Sequence, residues 1–166
     1  MIVASWNINS VRLRLPLLLD YLREQAPDVL CLQELKCTDE QFPRAEIEDA
    51  GYNVLVHGQK SWNGVAILSK RPLEEARRAL PGGDEDTHSR YVEATLPWGD
   101  TVLRVASIYL PNGNPPGTEK TAYKHAWMDR LHAHARDLLA LEEPLVLAGD
   151  YNVIPQPEDA AKPEAW

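Results

Sequence analysis

Four short apolar runs in this chain end on residues that carry oxygen or amide groups. Ile2 to Trp6 runs into Asn7, and Asp28 to Gln33 runs into Glu34. Thr101 to Tyr109 closes on the tyrosine itself, and Leu145 to Ala148 runs into Gly149-Asp150-Tyr151-Asn152. Each run has the length and composition of a strand. Helical patterns lie between several of them, so the chain is constrained to a mixed α/β architecture whose strand tips share one edge. Loops on that edge of a rigid sheet are where such folds bind ligands. Taken singly, each tip has a plain structural alternative. Asn7 can form a turn or cap a helix, Glu34 can be a solvated strand end, and Asp150 with Asn152 can form an Asx turn.

The remaining elements follow from periodicity and punctuation. Leu15, Leu18, Leu19 and Leu22 recur at helical spacing over Leu13 to Gln25, and Pro16 is tolerated in a first turn, so the regular helix is expected from about Leu15. A second helix is predicted from Asp39 to Ala50, capped by Thr38 or Asp39 and closed by Gly51. Tyr52 to His57 and Gly64 to Ser69 read as strands, and Leu73 to Leu80 reads as a weak edge strand. Arg90 to Leu96 and Thr101 to Tyr109 read as a hairpin joined by Pro97-Trp98-Gly99-Asp100. The longest helix is predicted from Thr118 to Leu141, burying Ala122, Trp127, Leu131, Ala135, Leu138 and Leu139. Leu145 to Ala148 is expected to be a buried strand. Pro155 to Trp166 is proline-rich and reads as a loop.

Composition narrows the class. The 166 residues suit one domain, and 44% of them are hydrophobic, an ordinary globular share. Lys plus Arg is 17 and Asp plus Glu is 25, a net charge of −8. That balance argues against coating nucleic acid through bulk charge, yet it leaves room for a focused basic cleft. Lys36, Lys60, Arg90, Lys120 and Lys124 are candidates for such a cleft, with Asp84-Glu85-Asp86 and Glu142-Glu143 expected to face away from it. Cys31 and Cys37 make neither a disulfide framework nor a metal motif. The opening residues lack a signal-peptide pattern, and no apolar stretch reaches the length of a membrane span. A cytoplasmic protein with no membrane partner is therefore expected. Trp6 and Trp127 are expected in the core, while Trp62 and Trp98 sit in turns, either packed as satellites of the core or free to touch a partner.

A glutamate, an aspartate and amides at one edge are hard oxygen donors, better suited to Mg²⁺ or Mn²⁺ than to zinc. With a tyrosine hydroxyl and an arginine beside them, they suit a phosphoester substrate.

Five segments together carry a resemblance. Trp6-Asn7-Ile8-Asn9-Ser10, Gln33-Glu34-Leu35-Lys36, Asn63-Gly64-Val65-Ala66-Ile67, Tyr109-Leu110-Pro111-Asn112-Gly113 and Gly149-Asp150-Tyr151-Asn152-Val153 resemble, in order and spacing, the successive signatures of the exonuclease III family of apurinic/apyrimidinic endonucleases. That family lies within the endonuclease/exonuclease/phosphatase superfamily. The resemblance implies a four-layered α/β sandwich with two facing mixed β-sheets, of which this chain supplies roughly the N-terminal 60%. It implies a Mg²⁺-dependent (Mn²⁺ possible) DNA-repair phosphodiesterase, a 3′–5′ exonuclease and abasic-site endonuclease cutting 5′ to the lesion. Its partner would be double-stranded DNA with an abasic site or a 3′ end.

By the same resemblance, Glu34 is the metal ligand and Asn7 the amide that supports it. Tyr109 contacts the scissile phosphate, while Asp150 and Asn152 orient the nucleophile and stabilise the transition state. Asn112, Lys120 and Arg90 are assigned to substrate binding, with Arg90 equally open to being a surface strand arginine. The family's late aspartate-histidine pair has no counterpart here, and none of the five histidines is expected to replace it. Residues 1–166 are thus expected to be the N-terminal part of one domain and inactive alone, with 155–166 leading toward a C-terminal segment. Two alternatives stay open: a non-catalytic interaction module, and a phosphoesterase of another branch of the superfamily.

Overall fold

The computed structural model describes residues 1–162 and arranges them in two four-stranded sheets. In chain order the elements are β1 (Val3–Asn7), α1 (Leu15–Gln25), β2 (Val29–Gln33), a 3₁₀ turn (Asp39–Gln41), α2 (Arg44–Asp49), β3 (Asn53–His57), β4 (Val65–Ser69), β5 (Glu74–Arg77), β6 (Tyr91–Trp98), β7 (Thr101–Tyr109), α3 (Glu119–Leu139), β8 (Leu145–Asp150) and a second 3₁₀ turn (Pro157–Asp159). The first sheet runs β1-β2-β4-β3 and the second β5-β6-β7-β8. β1 and β2 are parallel, with Asn7 opposite Gln33, and β7 and β8 are parallel, with Tyr109 opposite Asp150. The other pairings are antiparallel, so both sheets are mixed.

Alternation along the strands separates three cores. Val29, Cys31, Val65 and Ile67 of the first sheet meet Val92, Ala94, Leu96, Leu103 and Val105 of the second. The alternate residues Leu30, Leu32, Ala66 and Leu68 face outward and pack with Leu18, Leu22 and Ile47 of the helices. On the far side, Tyr91, Ala106 and Ile108 pack against Trp127 and Leu131 of α3. The order is helix, sheet, sheet, helix, as expected of the four-layered sandwich. Inside the central layer, Gln33 Nε2 donates to Ser107 Oγ at 3.1 Å, and Ser107 Oγ donates to the Leu32 carbonyl at 2.9 Å. These satisfied polar groups fix the offset between the sheets, because a slip would leave buried donors unpaired.

Several sequence expectations need correction. The predicted helix over 39–50 is broken, because Phe42 precedes Pro43 and takes an extended conformation. Thr38 and Gln41 nevertheless form a capping box at its start. Pro97 and Trp98 belong to β6, so the hairpin turn contracts to Gly99-Asp100. The stripe that α3 turns inward is Tyr123, Trp127, Leu131, His134 and Leu138, whereas Ala122 and Leu139 are exposed. β8 is half-buried throughout rather than buried, since it is a sheet edge among the described residues. Trp127 is core and Trp98 packs as a core satellite. Trp6 is half-buried against the first core, and Trp62 is 69% exposed. Of the predicted terminal loop, residues 163–166, including Trp166, lie outside the described residues. No helix among the described residues is long and apolar enough to cross a membrane.

His134 is buried because it serves Glu93, which sits at 2% exposure on β6. Glu93 accepts from Tyr91 OH at 2.6 Å, pairs with Arg104 at 2.7 Å and contacts His134 Nε2 at 2.8 Å. Burial pushes its carboxyl up, but the bonds from Tyr91, His134 and Arg104 outweigh burial and hold it below its ordinary 4.5. The stabilisation from this depressed carboxyl is present above the unfolded value and lost as pH falls through the folded one. Glu93→Ala is expected to cost about 3–5 kcal/mol at pH 7, read from urea unfolding. Its deficit against wild type should shrink as pH drops below 4.5.

Candidate functional site

The parallel pairs bring four strand tips to one point. β1 and β2 deliver Asn7 and, one residue past the strand, Glu34, while β7 and β8 deliver Tyr109 and Asp150 from the facing sheet. Gly149 admits this approach, because a Cβ there would overlap the Ile108 carbonyl of β7. Asn7 Nδ2 donates to Glu34 Oε1 at 2.8 Å and to Asp150 Oδ2 at 2.8 Å. Tyr109 OH donates to the same Glu34 oxygen at 2.9 Å. Four residues separated by up to 143 positions thus form one hydrogen-bonded cluster.

Both oxygens of each acid have a partner. Glu34 Oε2 pairs with Lys36 Nζ at 3.1 Å, and Asp150 Oδ1 accepts the Asn152 N–H at 2.9 Å. Burial raises the Glu34 carboxyl, but the donors Asn7, Tyr109 and Lys36 bring it below its ordinary value. Burial, and then the Glu34 carboxylate it serves, push the Tyr109 hydroxyl up to about 12. Tyr109 therefore stays protonated, a hydrogen-bond donor at neutral pH. Backbone strain is concentrated here. Asn9, Ser10, Glu34, Lys36, Asn63 and Asn152 all adopt positive φ without being glycine.

The other candidates take distinct places. Asn152 realises the Asx turn with Asp150, and its Nδ2 donates to the Leu110 carbonyl at 2.7 Å. Asn7 turns its nitrogen to the two acids, while its Oδ1 accepts the Asn9 N–H at 3.2 Å, so it bridges the carboxylates rather than presenting a free oxygen. Arg90 is no surface arginine. Its guanidinium lies 4.8 Å from the Tyr109 ring centre and 6.0 Å from that of Tyr123, and its buried Nε has no hydrogen-bond partner among the described residues. Arg90, Asn112 and Lys120 line a cavity of about 200 Å³ with His88, Gly113 and Tyr123. Lys124 reaches the Asn152 carbonyl at 2.6 Å and that of Asn112 at 3.3 Å.

Asp86, expected to face away from the cleft, belongs to its rim. It is half-buried, pairs with Arg130 at 2.9 Å and accepts from Tyr123 OH at 3.0 Å. Its charge is answered locally, so it does not oppose the cationic cavity. His88 and Tyr123 were not singled out from sequence. The signal for Tyr123 was its place four residues before Trp127 on the buried stripe of α3.

Fold and site define a two-sheet α/β sandwich with an oxygen-rich cleft at its strand tips. The chain belongs to the endonuclease/exonuclease/phosphatase family, whose model matches residues 4–165. It is 35% identical over 159 residues to exodeoxyribonuclease III of Haemophilus influenzae, covering 93% of this chain and 58% of that one. Among solved structures it superposes on a 3′ phosphatase from Neisseria bound to product DNA hairpin, with TM-score 0.93 and 35% identity over 100% of this chain and 63% of the other. An apurinic/apyrimidinic (AP) endonuclease from Archaeoglobus fulgidus superposes with TM-score 0.90 and 33% identity, over 99% and 63%. The chain therefore spans about three fifths of the length of these relatives.

Asn7 is the test of the cluster. Asn7→Ala removes a donor from each carboxylate, and bonds to charged groups are worth about 1.5–3 kcal/mol. The variant is expected to unfold at lower urea, and the Glu34 carboxyl, followed by ¹³C NMR, should titrate at higher pH than in wild type.

Proposed function

We propose that this chain is the N-terminal part of a DNA phosphodiesterase of the exonuclease III type, acting on duplex DNA at abasic sites and 3′ ends. The observation that carries the proposal is the joining of Glu34, Asn7, Tyr109 and Asp150 in one cluster at the strand tips. Residues 1–166 would form the N-terminal part of a single domain, with 155–166 leading to a C-terminal segment that contributes the base. Its coverage of 58–63% of the relatives supports this division.

A divalent cation fits the donor set. No group of three or more acidic, histidine or cysteine side chains able to hold a metal occurs among the described residues. Mg²⁺ needs none, because one or two carboxylates suffice when water and phosphate oxygens complete its shell. Glu34 would hold it, with Asp150 across the Asn7 bridge, and Mn²⁺ would be accepted by the same donors. When bound, the ion supplies positive charge to a phosphoryl oxygen. The chain's own groups do the rest. Tyr109 keeps its proton and can turn its hydroxyl from Glu34 to a phosphoryl oxygen. Asp150 orients the attacking water through the oxygen now taken by Asn7, and Asn152 fixes the Asp150 rotamer through its N–H. The Arg90 guanidinium and the Lys120 ammonium, which line the cavity beside the cluster, offer donors to the strand's other phosphates. A cytoplasmic location accords with this role.

Cleavage tests the proposal. With Mg²⁺, residues 1–166 joined to the C-terminal segment that contributes the base are expected to nick a duplex 5′ to a single abasic site and to shorten 3′ ends, while leaving inositol phosphates intact, and residues 1–166 alone are expected to leave the duplex uncut. Faster turnover of an inositol phosphate would place the protein in another branch. Asp150→Asn should lose far more in turnover than in DNA affinity. Tyr109→Phe removes one contact worth about 1.5–3 kcal/mol and should slow cleavage by one to two powers of ten with the fold intact.

A further inference from the structure

The Lys36 ammonium lies against Glu34, the carboxylate assigned above to the metal. Glu34, Leu35 and Lys36 follow β2 in an unusual path, with φ of +55° at both Glu34 and Lys36. Ordinary side chains avoid that conformation. Its effect is to send the fully buried Leu35 into the first core while Glu34 and Lys36 meet in the cleft. Backbone bonds hold the path. Ser10 and Val11 donate to the Glu34 and Leu35 carbonyls at 2.7 and 3.2 Å, and Leu35 and Lys36 donate to the Gly64 and Asn63 carbonyls at 3.2 and 3.0 Å. The Lys36 ammonium contacts Glu34 Oε2 at 3.1 Å and also donates to Asn9 Oδ1. An ammonium has three donors, and these two contacts leave one. Its side chain remains 29% exposed, so the stem has an outlet toward solvent.

We propose that Lys36 is the protein's own stand-in for the cation at Glu34, and that divalent-metal binding releases its ammonium to a backbone phosphate of the bound strand. Lysine suits the exchange, since a point charge on a flexible stem can change partners in a way that a bidentate arginine cannot. Two cations on one carboxylate repel, so the metal and Lys36 compete for Glu34. By linkage, the metal then strengthens phosphate binding and phosphate strengthens metal binding. The inference rests on the assignment of Glu34 to the metal.

Calorimetric Mg²⁺ titration of the full chain, with no DNA present, separates the possibilities. Lys36→Met is expected to bind Mg²⁺ up to about fivefold more tightly, the range for losing one partly exposed ion pair. Lys36→Arg, which keeps the charge and can pair with Glu34 through two N–H groups, should bind Mg²⁺ no more tightly than wild type. The Lys36 Nζ resonance of wild type, observed with ¹⁵N-lysine, should shift on adding Mg²⁺ and shift again on adding a duplex. In Lys36→Met, the gain in duplex affinity that Mg²⁺ brings should shrink. If Glu34→Gln loses Mg²⁺ binding while Lys36→Met binds it as wild type does, and the Nζ resonance is unmoved, the stand-in is overturned and the metal assignment survives. If Glu34→Gln binds Mg²⁺ unchanged, the metal assignment falls and the stand-in with it.

Discussion

Two carboxylates share one amide. Glu34 leaves the first sheet, Asp150 ends the edge strand of the second, and Asn7 Nδ2 sits 2.8 Å from each. Like charges about 5 Å apart repel by roughly 3 kcal/mol at an effective dielectric of about 20. The fold must therefore hold them together against that repulsion, and it does so with donors. Asn7, Tyr109 and Lys36 supply Glu34, while Asn7 and the Asn152 N–H supply Asp150. The depressed Glu34 carboxyl is the record of that arrangement. Two carboxylates held side by side by shared donors give the strand tips a cluster of hard oxygen atoms.

The rest of the molecule serves that convergence. The facing sheets must not slide, and the buried Gln33–Ser107 bond between them penalises any slip. Their parallel edge pairs put Asn7 opposite Gln33 and Tyr109 opposite Asp150. Behind the second sheet, Arg130 of α3 bonds to Asp86 and to the Leu80 and Pro81 carbonyls, tying down the loop that leads to Arg90. The His134–Glu93 pair joins the inner face of α3 to β6, and Arg104 of β7 holds the same carboxylate. Rigid elements thus carry the side chains, and six of the nine non-glycine residues with positive φ among the described residues lie in the turns around the site.

The tips of the apolar runs were legible in the sequence, because an apolar strand that stops on Asn7, Glu34, Tyr109 or Asp150 marks both its end and its edge. The strands and α1 were legible for the same reason. What sequence could not reveal arose from partners remote in the chain. Arg90 read equally well as a surface residue until the Tyr109 and Tyr123 rings closed on it. Asp86 read as a solvated acid until Arg130 met it. His134 joined the buried face while the expected Ala122 and Leu139 stayed exposed, and its partner there is the buried Glu93. Asn7 read as a support for metal, and only the tertiary geometry turned its nitrogen toward both acids. The break at Phe42, by contrast, was available from Pro43 alone.

The central claim is that Glu34 and Asp150 act as one unit on the scissile phosphate. A double-mutant cycle of Glu34→Gln and Asp150→Asn, read by single-turnover cleavage of an abasic duplex by the chain joined to its C-terminal segment, tests it most directly. Groups that act together lose their effect together, so the double variant is expected to be little slower than the worse single variant. Multiplicative losses, with each substitution slowing cleavage by its full factor in the presence of the other, would contradict a shared site.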